Sequence, residues 1–262
     1  MAMKDRSKQL SKTTWKDPTR SLSRLAKIES KLVALFRNYR RRVLAEFKPA
    51  PQPFTQMEPV TQVQTPWYQQ LTIDHFYQRL EDLTTQELIG PAYAILAKEI
   101  PDAFTHGTKY ADLNLKAKMG IKLGAPLEER QRAWKKIGAL VEGSKGEFKG
   151  VSDAVNQQIR RVISDGMVNE DSFKTVTKAI QDVTADVGEN RARMIARTET
   201  MKAINTGAME RYAKIGINKV EWLAAEDERT CEVCGDLDGQ TFPIGEATAC
   251  PAHPNCLYPC VS

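Results

Sequence analysis

Cysteine is absent from the first 230 residues of this chain, and all five cysteines lie between positions 231 and 260. That distribution excludes a disulfide framework for most of the chain. No segment approaches the roughly 20 apolar residues needed to cross a bilayer, and no apolar signal core follows the first residues. The sequence therefore indicates a soluble protein made in a reducing compartment, where clustered thiols bind metal more often than they pair.

Histidine is also scarce, with only His75, His106 and His253 in the chain. A nucleophilic cysteine needs a positioned base, and a zinc deaminase needs a His-x-Glu sequence that does not occur here. The sequence therefore predicts no enzymatic activity. A nuclease-like, DNA-processing zinc protein built around 253–255 remains an alternative.

Hydrophobic content of 41% and aromatic content of 7% indicate that part of the chain is elongated or bound to a partner.

The net charge of +5 is unevenly distributed. Residues 1–50 contain 14 Lys and Arg against 4 Asp and Glu, a net charge of +10, and the remainder carries −5. A basic arm on a mildly acidic body favours a polyanionic partner such as DNA. A solvated or protein-docking arm is the alternative interpretation.

Within this basic arm, apolar residues from Leu22 to Phe47 recur at steps of three and four, which predicts one amphipathic helix. Glu29 and Glu46 on its polar face make a membrane a poorer partner than protein or DNA. Four arginines crowd its end and are the candidate phosphate contacts: Arg37, Arg40, Arg41 and Arg42.

The next two segments are a proline-rich linker at 51–66 and a helical middle region at 67–149. Five prolines between Pro49 and Pro66 disfavour helix there. In the middle region we expect Gly90-Pro91 to separate two helices. Residues 127–141 are expected to form another helix with Trp134 on its apolar side, followed by a loop at 143–150.

Residues 150–262 are predicted to form the last domain, with helices followed by a small β-hairpin. Ser172 or Asp171 is expected to cap one helix. A separate helix is expected over 189–215, with Gly216 at its C-terminal cap. Alternation at 219–223 and the sequence 241–244 predict two strands, with Asp238-Gly239 as the hairpin turn. The fold class is thus mainly α with a C-terminal β-hairpin zinc module (α+β) and an elongated N-terminal helical region.

The cysteines of this module have the spacing of a closed, tetrahedral zinc site. The preferred ligands for a structural Zn²⁺ are Cys231, Cys234, His253 and Cys256. Cys250 or Cys260 could replace His253 as the fourth ligand. A small hairpin buries too little apolar surface to be stable alone, so a metal staple is physically reasonable.

Several short motifs, taken together in their order along the chain, resemble the Mu F-like family of phage head morphogenesis proteins, also called minor head or minor capsid proteins. The resemblance covers roughly residues 150–262. Its motifs are Ile195-Ala-Arg-Thr-Glu199, Ala203-x-Asn205-x-Gly207, Val220-Glu-Trp-Leu, Asp227-Glu-Arg-Thr-Cys-x-x-Cys234, Leu237-Asp-Gly-Gln-x-Phe242 and His253-Pro-Asn-Cys256. The family commonly ends in Cys-Arg-Cys, whereas here Leu257-Tyr-Pro-Cys260 follows Cys256.

The resemblance implies a structural protein of a tailed phage or prophage, located inside the head at or near the portal vertex and in the host cytoplasm before assembly. It implies portal protein and other head or scaffold proteins as partners, with packaged DNA as a further contact, and no membrane. It implies no enzymatic activity. Because the domain also occurs fused to toxin domains, a prophage toxin carrier or adaptor is another alternative.

Overall fold

A computed structural model describes residues 21–48, 66–70, 73–120, 128–224, 231–245 and 252. The described chain is mainly helical with one small two-stranded sheet, which confirms the predicted fold class at that level. The elements are α1 (Leu22–Glu46), α2 (Trp67–Gln70), α3 (Ile73–Leu83), a π-helix (Thr84–Ile89), α4 (Gly90–Met119), α5 (Glu128–Val168), α6 (Phe173–Lys214), β1 (Lys219–Glu221), α7 (Glu232–Leu237) and β2 (Thr241–Pro243).

The described residues group into two compact units that are not consecutive in the chain. Unit 1 comprises the described residues within 1–28, 99–138 and 197–262, and unit 2 those within 29–98 and 139–196. The four long helices α1, α4, α5 and α6 each supply residues to both units. The division into four consecutive segments expected from the sequence remains a prediction, and the linker at 51–66 lies almost wholly outside the described residues.

Helix α1 buries the apolar face that its sequence predicts. Its buried residues fall at steps of three and four, as an amphipathic helix requires. They include Leu25, Ile28, Leu32, Phe36, Tyr39 and Val43, and Phe47 is buried just beyond the helix end. In unit 2 the Phe47 ring stacks on Phe173 and meets Phe76 edge-on, with centroids 5.2 Å away in each case. The described part of the predicted basic arm, residues 21–48, therefore packs mostly into a core.

A polar network crosses the unit 2 core where the π-helix begins. The Tyr39 hydroxyl lies 2.8 Å from Thr84 Oγ1 and donates to Asn156 Oδ1 at 3.0 Å. Thr84 Oγ1 also donates to the Leu80 carbonyl at 2.6 Å. Buried polar groups need such partners because water is excluded around them. The network joins α1, the π-helix and α5.

Two expected interruptions are not present. The loop predicted at 143–150 is wrong, because α5 runs through it from Glu128 to Val168. Apolar side chains on one face of α5, among them Val141, Phe148 and Val151, are buried. Their burial outweighs the cost of about 1 kcal/mol for each helical glycine. Gly90 is likewise helical (φ −59°, ψ −53°), and the chain passes from the π-helix directly into α4, of which Pro91 is the second residue.

The expected separate helix at 189–215 is instead the second half of α6, which is continuous from Phe173 to Lys214. Gly188 lies within it. A Cβ at Gly188 would lie 2.8 Å from the Phe36 ring, so glycine permits the close approach of α1. Trp134, expected on an apolar face, is 62% exposed.

Both ends of α6 follow the sequence predictions. Ser172 Oγ accepts a hydrogen bond from the Thr175 backbone N–H at 3.1 Å, which is an N-cap. Gly216 has φ +82° and donates to the Ala213 carbonyl, while Ile217 donates to Tyr212. These two bonds form a Schellman motif, in which glycine avoids the Cβ clash of a left-handed residue.

The predicted strands also form. β1 pairs antiparallel with β2, with Val220 opposite Phe242. Asp238-Gly239 does not join them directly as a hairpin turn, because α7 lies between the strands and Gly239 (φ +75°) leads from α7 into β2. In unit 1 the strands pack on α4 and α6 through a core that includes Tyr110, Leu115, Ala208, Tyr212, Trp222 and Cys234.

Candidate functional site

Two of the predicted metal ligands lie at the start of α7. Cys231 is the N-cap residue with extended backbone (φ −74°, ψ 160°). Its Sγ accepts a hydrogen bond from the Cys234 backbone N–H at 3.4 Å, and its carbonyl accepts from Gly235 N–H at 2.9 Å. The Cys-x-x-Cys turn is therefore folded, and a backbone N–H donor points at the first sulfur.

The turn is held by the small sheet and its core. Cys234 is buried (4% exposed) beside Trp222, and Cys231 is half-buried against the same cluster. The Ala224 backbone N–H donates to Asp238 Oδ1 at 2.8 Å, which links the chain after β1 to the end of α7. Trp222 and Phe242 add an edge-on ring contact at 6.2 Å. The small sheet and the cluster around Trp222 thus hold both sulfurs in place.

The second half of the predicted ligand set lies outside the described residues, namely Cys250, His253, Cys256 and Cys260. Within the described ranges, no group of three or more His, Cys, Asp or Glu side chains is placed to hold a metal ion. The donor chemistry of Cys231 and Cys234 fits zinc, which takes thiolate sulfur at about 2.3 Å. The four-ligand site remains a prediction.

The basic helix α1 places two of the four candidate arginines on one carboxylate. Arg37 donates to Glu189 Oε2 from Nη2 at 3.0 Å and from Nε at 3.2 Å, and Arg40 Nη1 reaches Oε1 at 3.4 Å. The hydrogen bond from Arg37 is the main cause that lowers the pKa of Glu189, and the nearby positive charges act in the same direction. The i,i+4 spacing of Glu189 and Arg193 on α6 favours an ion pair, which is observed at 3.5 Å. No such spacing rule indicates the contact with α1.

The other two arginines are more exposed. Arg41 donates to Asn38 Oδ1 at 3.3 Å on its own helix. Arg42 pairs with Glu87 of the π-helix at 3.3 Å. Three of the four candidate phosphate contacts therefore already face carboxylates of this chain, so that DNA would have to compete with these pairs. Their role in binding nucleic acid stays a prediction.

Three of the four residues of the Arg197-Thr-Glu-Thr200 motif of α6 are buried in unit 1. Thr198, Glu199 and Thr200 are at most 8% exposed. Glu199 pairs with Lys202 at 2.8 Å, as the spacing predicts. This burial favours the interpretation that the motif holds the helix within its unit rather than contacting an external anion. Sequence reasoning missed the pair between buried Arg211 and Asp112 at 2.6 Å, because no spacing rule links residues on α4 and α6.

Comparisons with known proteins agree with the motif order. Residues 157–261 match the family described as Phage Mu protein F like protein. An uncharacterized protein of Haemophilus influenzae is 29% identical over 147 residues, which cover 56% of this chain and 33% of that protein. The chain thus spans about a third of the length of that relative. No solved structure matches the chain at a significant level.

The matched range contains all of α6, the Cys-x-x-Cys turn, the sheet and both halves of the predicted ligand set. This family is a structural, head-morphogenesis family of phages and is not known for enzymatic activity. None of the described helices is long and apolar enough to cross a membrane. The family resemblance drawn from the motifs is confirmed over residues 157–261, which match the Mu F-like family.

Proposed function

We propose that this chain is a minor head protein that acts in head morphogenesis at or near the portal vertex of a tailed phage. The observation that carries the proposal is the Mu F-like match over residues 157–261. In this role the protein resides inside the head of the virion after a period in the host cytoplasm. Its direct partners are the portal protein and other head or scaffold proteins.

Deletion of the gene from the phage, with complementation by the wild-type gene in trans, tests this role. We expect lysates of the deletion phage to contain aberrant or empty heads in electron micrographs, and complementation to restore filled heads. Normal filled heads and unchanged infectivity without the protein would contradict the proposal. Pull-down of portal protein by the tagged chain, from lysates that lack DNA after nuclease treatment, tests the proposed portal contact.

The second part of the proposal is a structural zinc ion bound by Cys231, Cys234, His253 and Cys256. The hydrogen bond to Cys231 Sγ and the position of both sulfurs on the first turn of α7 support it. Cys250 and Cys260 remain alternates to His253. A closed four-ligand site stabilises a fold and leaves no position for substrate, which agrees with a structural rather than catalytic module.

Metal analysis of the full chain tests the zinc site. We expect about one zinc per chain by plasma mass spectrometry, with loss of the metal and a lower melting temperature in Cys231→Ser, because the metal-binding free energy is also folding free energy. Cys250→Ser, Cys260→Ser and His253→Ala distinguish the ligand sets: the proposed set predicts that only His253→Ala among these three loses the metal, and loss in one of the cysteine variants instead would assign that cysteine as the fourth ligand. A wild-type chain purified without chelators that contains no zinc and binds none on titration would contradict the site.

The third part is contact between packaged DNA and the exposed side of α1. Support comes from the net charge of +10 in residues 1–50 and from the exposed positions of Arg37, Arg41 and Arg42. Electrostatic contact with phosphates needs no base sequence, which suits a protein that meets whatever DNA is packaged. Arg40, which is only partly exposed, would contribute to the same positive field.

A further inference from the structure

Three guanidinium groups surround the Glu189 carboxylate in unit 2. Arg37 and Arg40 reach it from α1 at 3.0 and 3.4 Å, and Arg193 reaches Oε2 from α6 at 3.5 Å. The Glu189 side chain is 14% exposed, whereas Arg37 and Arg193 are 55% and 35% exposed. The carboxylate therefore lies beneath cations that still face solvent.

Among the side chains that the structure describes, the arginines of this cluster outnumber its carboxylates. Arg193 Nε also contacts Glu29 Oε1 at 3.3 Å, so three arginines share two carboxylates. Arg41 lies on α1 next to this cluster in sequence and has a neutral partner, Asn38. Arginine binds carboxylate and phosphate with the same planar set of donors. A carboxylate that collects three arginines thus occupies a place where a phosphate would find the same donors.

We propose that Arg37, Arg40 and Arg193 form a phosphate-binding site for DNA in which Glu189 is a built-in competitor. The inference rests on the proposed DNA contact of α1, and it adds Arg193 as a contact from the Mu F-like segment and Glu189 as the residue that limits affinity. Phosphate oxygens of the DNA backbone exchange with the carboxylate at Arg37 and Arg193. The carboxylate thereby lowers the affinity of the site for DNA.

The competitor can be removed with little change of shape. Glu189→Gln keeps the side-chain length and an acceptor oxygen for Arg37 but removes the negative charge. We expect a 20-base-pair DNA duplex to bind this variant about 10-fold more tightly than the wild type at about 100 mM salt, because the freed arginines contact one further phosphate. That contact also steepens the slope of log K against log salt concentration by about 0.9. Fluorescence anisotropy with labelled duplex, repeated at several salt concentrations, measures both quantities.

Glu81→Gln is the matched control. Glu81 is also in unit 2 and forms an ion pair with an arginine, Arg160 at 2.7 Å, but its side chain is 68% exposed and does not contact the cluster. It changes the net charge by the same amount. The Glu189→Gln variant must therefore bind DNA more tightly, and with a steeper salt dependence, than the Glu81→Gln variant. The double variant Glu189→Gln, Arg193→Gln must lose this difference.

The outcomes separate the inference from the function on which it rests. If Glu189→Gln and Glu81→Gln change the DNA affinity equally, and the wild type binds measurably, Glu189 is not a competitor but the proposed DNA contact still holds. Absence of binding in every variant at low salt would overturn both. If circular dichroism shows that Glu189→Gln does not fold, the single variant Arg193→Gln tests the site instead. Weaker DNA binding with a shallower salt dependence would support the site, and unchanged binding would overturn it.

Discussion

At the scale of single residues, the most informative contacts are polar groups buried between helices. Pairs on one helix, such as Glu189–Arg193 and Glu199–Lys202, were predictable because i,i+4 and i,i+3 spacing places both side chains on one face. The partners of Tyr39 and of Arg37 were not predictable, since Thr84, Asn156 and Glu189 lie 45, 117 and 152 positions away in the chain. Spacing rules carry no information at that range.

Tyr39→Phe tests the buried network. We expect it to lower the free energy of unfolding in urea by about 1 kcal/mol, the typical net value of one buried hydrogen bond. Tyr93→Phe is the control, because the Tyr93 hydroxyl donates to Glu142 at the surface and its loss should change stability little. Equal effects of the two substitutions would show that the Tyr39 hydroxyl adds nothing to the core.

Two tyrosines make stability sensitive to alkaline pH. Burial is the main cause that raises the pKa of Tyr39 and of Tyr212 to about 12. A raised folded-state pKa means that the stabilising contribution is complete below the unfolded pKa of about 10 and is lost as pH rises toward 12. We expect the free energy of unfolding to fall over this range, and to fall less steeply in Tyr39→Phe. Parallel pH profiles for both proteins would contradict the assignment of Tyr39.

At the scale of elements, glycines in long helices serve two different purposes. Gly107 on α4 and Gly207 on α6 face each other's helices, where a Cβ would collide with the backbone at Ile204 and at Phe104. Gly143, Gly146 and Gly150 on α5 line an open groove of about 350 Å³, and a Cβ at any of them would meet nothing within 4 Å. The sequence alone does not distinguish these classes, which is why a loop was expected at 143–150.

Alanine substitution separates the two classes. Gly146→Ala should stabilise the chain by about 0.5–1 kcal/mol, because alanine restricts the unfolded chain and fits the helix without a clash. Gly207→Ala should destabilise it by several kcal/mol, since the clash is with rigid backbone rather than a flexible side chain. Thermal melts of the two variants beside the wild type provide the measurement. A destabilised Gly146→Ala would indicate that α5 is not continuous there.

The ends of elements were easier to predict than their continuity. Ser172 and Gly216 carry local chemistry that fixes a cap, and both caps form. Continuity through 143–150 and at Gly188 depends on what the neighbouring helix buries, such as Phe36 against Gly188. The alternation that predicts β1 and β2 was likewise sufficient, whereas α7 between them was not foreseen.

At the scale of the whole molecule, α1 is not a detachable arm. Seven of its large apolar side chains, from Leu25 to Val43, are at most 5% exposed. Each buried side chain of this size contributes about 1.5–3 kcal/mol, and a domain's total stability is about 5–15 kcal/mol. We therefore expect deletion of residues 1–48 to abolish cooperative thermal unfolding by circular dichroism, so truncation cannot isolate DNA binding.

The combined substitution of Arg41 and Arg42 by glutamine is the appropriate comparison for that deletion. It removes two exposed charges while keeping the buried face of α1, so cooperative unfolding should persist. A truncated chain that unfolds with the wild-type midpoint would show that α1 does not belong to the core.

The central claim is that the chain is a minor structural protein of a phage head. Quantitative mass spectrometry of DNA-filled virions and of empty precursor heads, purified from the phage that encodes it, tests this most directly. The account predicts a few copies per particle in both preparations. Absence from both preparations would contradict it.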